Sequence, residues 1–195
     1  MPSRDPELQA FVDVLVAAVA AAAVPGSPMA VAADHVFDRL AGRAGEAGEV
    51  APKPLDVCRL LPTARANAEA AAPEVGAVAR AFAALEGRLA WYARPSDDVD
   101  FRDGHANTFV IGEAGLEDHP GVVIGATLMA PGLTYPDHDH PPEEVYLVLG
   151  AGEWWNTETP WHEPGPGGLV HNPPGILHAM RSGDDPLLAI WCMLT

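Results

Sequence analysis

The stretch YPDHDHPPEEVYLVLG, residues 135–150, gathers two histidines, two glutamates and two tyrosines around a Pro-Pro step. Either it is a polar turn rich in His and Glu, or these side chains converge on one object, a metal ion above all. An extended chain advances about 3.3 Å per residue, so in one straight strand His138 and Tyr146 would lie roughly 26 Å apart, out of reach of a single ion. Convergence therefore needs a turn at Pro141-Pro142, where proline cannot donate to a ladder and the preceding residue is pushed out of helix. With period-two alternation His138 and His140 share a face at the end of one strand, and Glu144 and Tyr146 share a face at the start of the next. Glu143, of opposite parity, is expected to point away.

The stretch GGLVHNPPGILHAM (167–180) offers a matching arrangement. Pro173-Pro174-Gly175 makes a tight turn, and His178 follows on a new strand as a third imidazole from a separate element. Three histidines and a carboxylate suit one divalent first-row ion: Fe, Mn, Ni, Co or Zn. Around these motifs run short β-rich segments, from NTFVIGE (107–113) to LLAIWCML (187–194), broken by Gly, Pro, Asn or Asp. Short strands at close spacing predict an antiparallel sandwich or barrel from about residue 105 onward.

The first half reads differently. Asp5 is a candidate N-cap with Pro6 at the first helical position, and Leu8, Phe11, Val12, Leu15 and Val19 recur at helical spacing until PGSP (25–28) stops them. A second helix is predicted over 29–43, with Val31, Val36, Phe37 and Leu40 inward. A third helical region, 63–94, is Ala-rich and interrupted at Pro73. The polar stretch PSDDVDFRDGH (95–105) is read as the join, giving a helical extension over 1–95 and a metal-binding β domain over 96–195.

Composition narrows the function classes. Eleven basic against 27 acidic residues give a formal charge of −16, a field that repels nucleic acid and anionic membrane surfaces. Cys58 and Cys192 lie far apart, form no CxxC motif and read as buried free thiols. The apolar run 11–24 contains Asp13 and lacks a basic flank, so it is read as neither signal peptide nor membrane span, and the chain as cytoplasmic. A small-molecule partner, with the chain a monomer or homodimer, is the expectation.

The segments GLTYPDHDHPPEE (132–144) and GGLVHNPPGILH (167–178) resemble the two motifs of the cupin superfamily in their glycine, proline and histidine spacings. Two departures are visible: Ser182 stands where an asparagine usually follows the second-motif histidine, and the glycine closing the first motif is displaced by one residue. Tyr135, Tyr146, GAGEWW (150–155), HNPPGILHAM (171–180), a tryptophan-bearing last strand and a helical N-terminal extension extend the likeness to the cupin-type dimethylsulfoniopropionate lyases. That resemblance implies a cupin-type antiparallel β-barrel and one divalent transition metal held by His140, Glu144 and His178. It implies Tyr146 as catalytic base and further metal ligand, His138 as metal ligand or substrate contact, and Tyr135 as a catalytic residue in the substrate pocket. The implied reaction is β-elimination of a small zwitterion to dimethyl sulfide and acrylate.

A sulfonium group has no N–H or O–H donors, so aromatic faces are its natural partners. Trp154 and Trp191 are therefore candidate substrate contacts, with Trp154 and Trp155 on opposite sides of their strand. His35, His105, His119 and His162 are expected in ordinary surface or hydrogen-bonding roles, with His105 and His119 in loops. His171 is the better candidate for the neighbourhood of the site. Two other functions use the same ligands: a cupin dioxygenase or isomerase, and a non-enzymatic small-molecule-binding cupin. Tyr146 beside an intact ligand set argues against the last.

Overall fold

The computed structural model describes residues 4–195. The chain opens with α1 (Pro6–Ala22), α2 (Pro28–Gly42), β1 (Glu46–Ala47), a 3-10 turn over Asp56–Leu60, α3 (Leu61–Ala71), α4 (Pro73–Leu85) and β2 (Trp91–Tyr92). After α5 (Val99–Gly104) come β3 (His105–Ile111), β4 (Glu117–Asp118), β5 (Val122–Met129), β6 (Thr134–His138) and β7 (Glu144–Val148). The chain finishes with β8 (Gly152–Asn156), β9 (Thr159–His162), β10 (Leu169–Asn172), β11 (His178–Ser182) and β12 (Leu187–Leu194).

Helix α1 starts where the sequence says it must. The Asp5 carboxylate accepts from the Glu7 and Leu8 amides, and Pro6 occupies a position whose N–H is not needed. Its stripe of Leu8, Phe11, Val12, Leu15 and Val19 is buried. In α2 the packed face differs from the expected one: Val36 and Leu40 are buried, but Val31 is 43% exposed and Phe37 only half-buried. Ala30, Ala32 and Ala33 take the inner positions, where small side chains let the helix approach the sheet closely. The third helical region ends earlier than propensity suggested. Helix α4 stops at Leu85, and Trp91-Tyr92 turn extended to pair with Thr108 and Asn107 of β3. Tertiary packing overrides the Ala-rich local preference there, with Trp91 buried edge-on to Phe82.

The strands form two sheets. The larger runs β1-β4-β3-β5-β12-β7-β10 with β2 also on β3, and the smaller runs β6-β11-β8-β9. Pairing between the named strands is antiparallel except for a short parallel bridge between β3 and β4. The expected barrel is not closed: among the described residues no ladder joins the two sheets, which pack face to face as an open sandwich. Closure would need continuous pairing around the rim. Here the chain instead crosses between sheets at tight turns.

Strand alternation divides the larger sheet into two chemically distinct faces. Val110, Ile124, Ala126, Leu128, Leu147, Ile190 and Cys192 point toward the helices and share one core with α1, α3 and α4. Asn107, Phe109, Thr127, Glu144, Tyr146 and Trp191 have the opposite parity and face the smaller sheet. A sheet covered on both faces explains why β5 and β12 read as continuous apolar runs. Gly125 is required by close approach: a Cβ there would stand 2.1 Å from the Trp191 ring. Of the two free cysteines, Cys192 is buried and Cys58 half-buried.

The polar join (95–105) holds more structure than its composition suggests. Asp98 caps α5 through the Phe101 amide, and Phe101 is buried against His105. Elsewhere Arg4 grips Glu117 by two hydrogen bonds of 2.6 and 3.1 Å, with the Gly45 amide donating to the same carboxylate. Burial works to raise the Glu117 carboxyl pKa, but Arg4 and Gly45 outweigh it and leave it below its ordinary value. Stability from this group is therefore present above the ordinary glutamate range and lost as pH falls through the depressed folded value. Glu117→Gln is expected to cost about 1–3 kcal/mol near neutral pH, because it removes the charged partner of a largely buried guanidinium that keeps Gln9 and the Leu40 carbonyl as acceptors. Denaturant unfolding at pH 7 and pH 4 checks this, and an unchanged midpoint at pH 7 contradicts it.

Candidate active site

Both proline turns carry the chain from one sheet to the other. Pro141-Pro142 leads from β6 in the smaller sheet to β7 in the larger, and Pro173-Pro174-Gly175 leads from β10 back to β11. The two turns are tied together by the Gly175 amide donating to the His140 carbonyl at 3.0 Å. Gly175 sits at φ +69°, a conformation glycine adopts without a Cβ penalty. This crossing brings His140, Glu144 and His178 together, with one donor atom from each within 4.8 Å of the others.

The local hydrogen bonds prepare these groups as ligands. His140 Nδ1–H donates to the Pro142 carbonyl at 2.9 Å and His178 Nδ1–H to the Ile176 carbonyl at 2.9 Å. That tautomer leaves both Nε2 lone pairs facing Glu144 Oε2, at 3.3 and 3.5 Å. His178 Nε2 is buried and has no hydrogen-bond partner. Two imidazole lone pairs and a carboxylate around one point require a cation or a proton between them, so the donor set fits a divalent first-row metal. Without a metal, hydrogen bonding to Glu144 raises the His140 pKa, whereas burial lowers that of His178. Burial works to raise the Glu144 pKa, but His140, His178 and Asn172 outweigh it and keep the carboxylate ionised.

A cavity of about 310 Å³ opens beside these donors, with Tyr135, His138, Tyr146 and Trp191 in its wall. Tyr146 follows Glu144 by two residues on the same face of β7 and is cross-strand partner to Trp191. Burial, then the Glu144 charge, push its phenol pKa well above 10. His138 stands with its ring 4.1 Å from that of His178 but outside the three-donor group. Its Nδ1–H donates to the Pro136 carbonyl, and burial lowers its pKa to about 4, so it is neutral at physiological pH.

The family model for dimethylsulfoniopropionate (DMSP) lyase matches residues 29–189. The chain belongs to the DMSP lyase family. It is 31% identical over 157 residues to the dimethylsulfoniopropionate lyase DddQ of Ruegeria pomeroyi, an alignment covering 77% of this chain and 78% of that protein. It is 32% identical over 111 residues to the putative dimethylsulfoniopropionate lyase DddL of Cereibacter sphaeroides, covering 56% of this chain and 47% of that one. The crystal structure of the Ruegeria pomeroyi DddQ superposes with a TM-score of 0.72 at 25% identity, covering 98% of this chain and 92% of the other. The open sandwich is thus the fold of the DddQ structure, carried by a DMSP lyase family member.

Of the two candidate tryptophans of this DMSP lyase family member, one lines the cavity. Trp191 does, but Trp154 does not: both belong to the inter-sheet core, and Trp154 is buried there behind Tyr146, ring centroids 6.3 Å apart. Trp155 faces the other way and lies near Trp161. Glu143 points out of the site and accepts from His171 Nε2–H at 2.7 Å. The residue that supports Glu144 is instead Asn172, its cross-strand partner, which donates to Oε2 at 3.2 Å. Asn172 reaches Glu144 only because β10 pairs directly with β7 and sets the two residues opposite each other.

Several residues escaped sequence reasoning. Tyr92 and Arg94 line the cavity from a segment read as helix, and Asn107, Phe109 and Thr127 from strands carrying no motif. His105 and His119, expected in loops, are both buried, and of the two only His119 lies in a loop. His105 opens β3 and accepts the Arg94 amide at 2.9 Å, and His119 bonds the Arg43 carbonyl. Their burial is a tertiary effect with no local signature. Among the described residues no helix is long and apolar enough to cross a membrane.

Proposed function

We propose that this chain is a carbon–sulfur lyase that splits dimethylsulfoniopropionate into dimethyl sulfide and acrylate, with Tyr146 as base and His140, Glu144 and His178 as metal ligands. The observation that carries the reading is one cavity joining a three-donor group, a buried tyrosine beside it and an aromatic wall. In the elimination Tyr146 takes the proton from the carbon next to the carboxylate. The C–H electrons form the new double bond, the C–S bond breaks, and its pair leaves on neutral dimethyl sulfide. A divalent cation held by His140, Glu144 and His178 supplies positive charge that stabilises the developing anion and favours phenolate over phenol. Neutral His138 contacts substrate at the edge of that group, or completes the ligand set. Phe109 stands edge-on to Trp191 and stacked with Tyr92, giving a surface that receives a sulfonium without hydrogen bonds.

Residues 96–195 carry the ligands and the base. The first 95 residues cover the back of the larger sheet and lend Tyr92 and Arg94 to the cavity. The metal is one of Fe, Zn, Mn, Ni or Co, to be named by elemental analysis of protein from the native host. The protein works in the cytoplasm, as monomer or homodimer, on a small zwitterion; its charge of −16 disfavours nucleic acid.

Purified protein incubated with dimethylsulfoniopropionate is expected to release dimethyl sulfide equally in air and under anaerobic conditions, and to stop when the metal is chelated. Oxygen-dependent consumption without dimethyl sulfide would select the dioxygenase reading instead.

A further inference from the structure

A hydrogen-bonded chain runs through the cavity wall that the elimination itself does not use. Trp191 Nε1–H donates to Thr127 Oγ1 at 3.2 Å, the Thr127 hydroxyl donates to Asn107 Oδ1 at 2.6 Å, and Asn107 Nδ2 donates to the Tyr135 hydroxyl at 3.2 Å. Trp191, Thr127 and Asn107 sit on adjacent strands of the larger sheet, whereas Tyr135 sits in the smaller sheet. The chain therefore bridges the two sheets. All four side chains are buried, Thr127 being only 2% exposed.

Its polarity follows from donor chemistry. An indole N–H can only donate, so Thr127 Oγ1 accepts there and sends its one hydrogen to Asn107 Oδ1. That fixes the amide with its NH₂ toward Tyr135. The reverse amide orientation would put a second donor on Thr127 and leave the hydroxyl hydrogen in a buried wall without an acceptor. Tyr135 oxygen thus accepts from the wall, and its own hydrogen must turn elsewhere. The guanidinium of Arg94, 5.7 Å from the Tyr135 ring centroid, has only donors to offer. What remains is the cavity.

We infer that Trp191, Thr127 and Asn107 form a positioning relay that makes Tyr135 a hydrogen-bond donor into the cavity, addressed to the substrate's carboxylate. The inference rests on the reading that the cavity receives a carboxylate-bearing zwitterion. A sulfonium offers no hydrogen-bond acceptor, so only the other end of the molecule can receive this O–H. The same relay occupies the Trp191 N–H and leaves the indole's apolar surface for the sulfonium. The two ends of one buried chain therefore address the two ends of one small molecule, and Arg94 adds positive charge on the carboxylate side.

Thr127→Val keeps the shape of the side chain and cuts the relay at its middle. Loss of one oriented neutral hydrogen bond is expected to raise KM for dimethyl sulfide release by about 3- to 10-fold while kcat stays within about twofold. Acrylate, a carboxylate without a sulfonium, is expected to bind more weakly by a similar factor in calorimetry. Thr127→Ser restores the hydroxyl and is expected to restore KM, and Asn107→Leu, which cuts the next link, is expected to raise it. In a Tyr135→Phe background Thr127→Val is expected to change KM by less than about twofold, since no hydroxyl is left to orient. An unchanged KM in metal-replete Thr127→Val, or an equal effect with and without the Tyr135 hydroxyl, overturns the relay. If the wild type releases no dimethyl sulfide yet acrylate binding still depends on Thr127 only when Tyr135 is present, the substrate reading fails and the relay stands.

Discussion

Replacing Tyr146 with phenylalanine is expected to lower kcat for dimethyl sulfide release by about 10²- to 10⁴-fold, the range of a general base, while the fold and the metal remain. The ring is buried against Trp154, and Phe keeps that packing, so the change deletes little besides the oxygen. Burial and the Glu144 charge together hold the phenol in its protonated form. The base function therefore depends on positive charge beside it, and metal content has to be measured on the same samples. Tyr135→Phe is the proper comparison. Tyr135 stands in the same cavity but is held by Asn107 rather than placed beside Glu144, so its loss is expected to raise KM more than it lowers kcat. Near-wild-type kcat in metal-replete Tyr146→Phe removes that residue from the chemistry. A selective collapse of kcat in Tyr135→Phe moves the base there.

Removing a ligand is the second large effect. His140→Ala or His178→Ala is expected to weaken metal binding by more than about 100-fold, with Glu144→Ala also weakening it. Asn172→Ala, which removes only the amide that orients Glu144, falls in the roughly 10- to 100-fold range of a supporting residue. Chelator competition followed by elemental analysis separates these levels. Stoichiometric metal surviving competition in all three ligand variants would place the ion elsewhere. Acidification is expected to act in the same direction as the substitutions. The ligands bind only when deprotonated, and Glu144 raises the His140 pKa, so affinity falls as pH drops through a range beginning above that of an ordinary histidine.

The motifs of this site were legible because their logic is local. Period-two alternation put Glu144 and Tyr146 on one face and turned Glu143 away, and proline chemistry required the turn at Pro141-Pro142. The capped, striped helix α1 was equally readable, since its N-cap, first-position proline and apolar spacing all lie within one segment.

Pairing between distant segments was not legible, because it is decided by which surfaces meet. Sequence gave no sign that each proline turn crosses from one sheet to the other, although that crossing is what sets His140 and His178 around Glu144. Trp154 and Trp191 look equivalent as residues and both join the inter-sheet core, yet strand pairing brings only Trp191 to the cavity wall. Tyr92 and Arg94 follow an Ala-rich helical pattern, and only pairing with β3 draws them to the site. The sequence by itself determined the ligand types, their parity and the turns that let them converge, because backbone geometry acts over a few residues. Tertiary structure alone decided which aromatic and polar side chains share the cavity, because burial and register are settled between strands far apart in the chain.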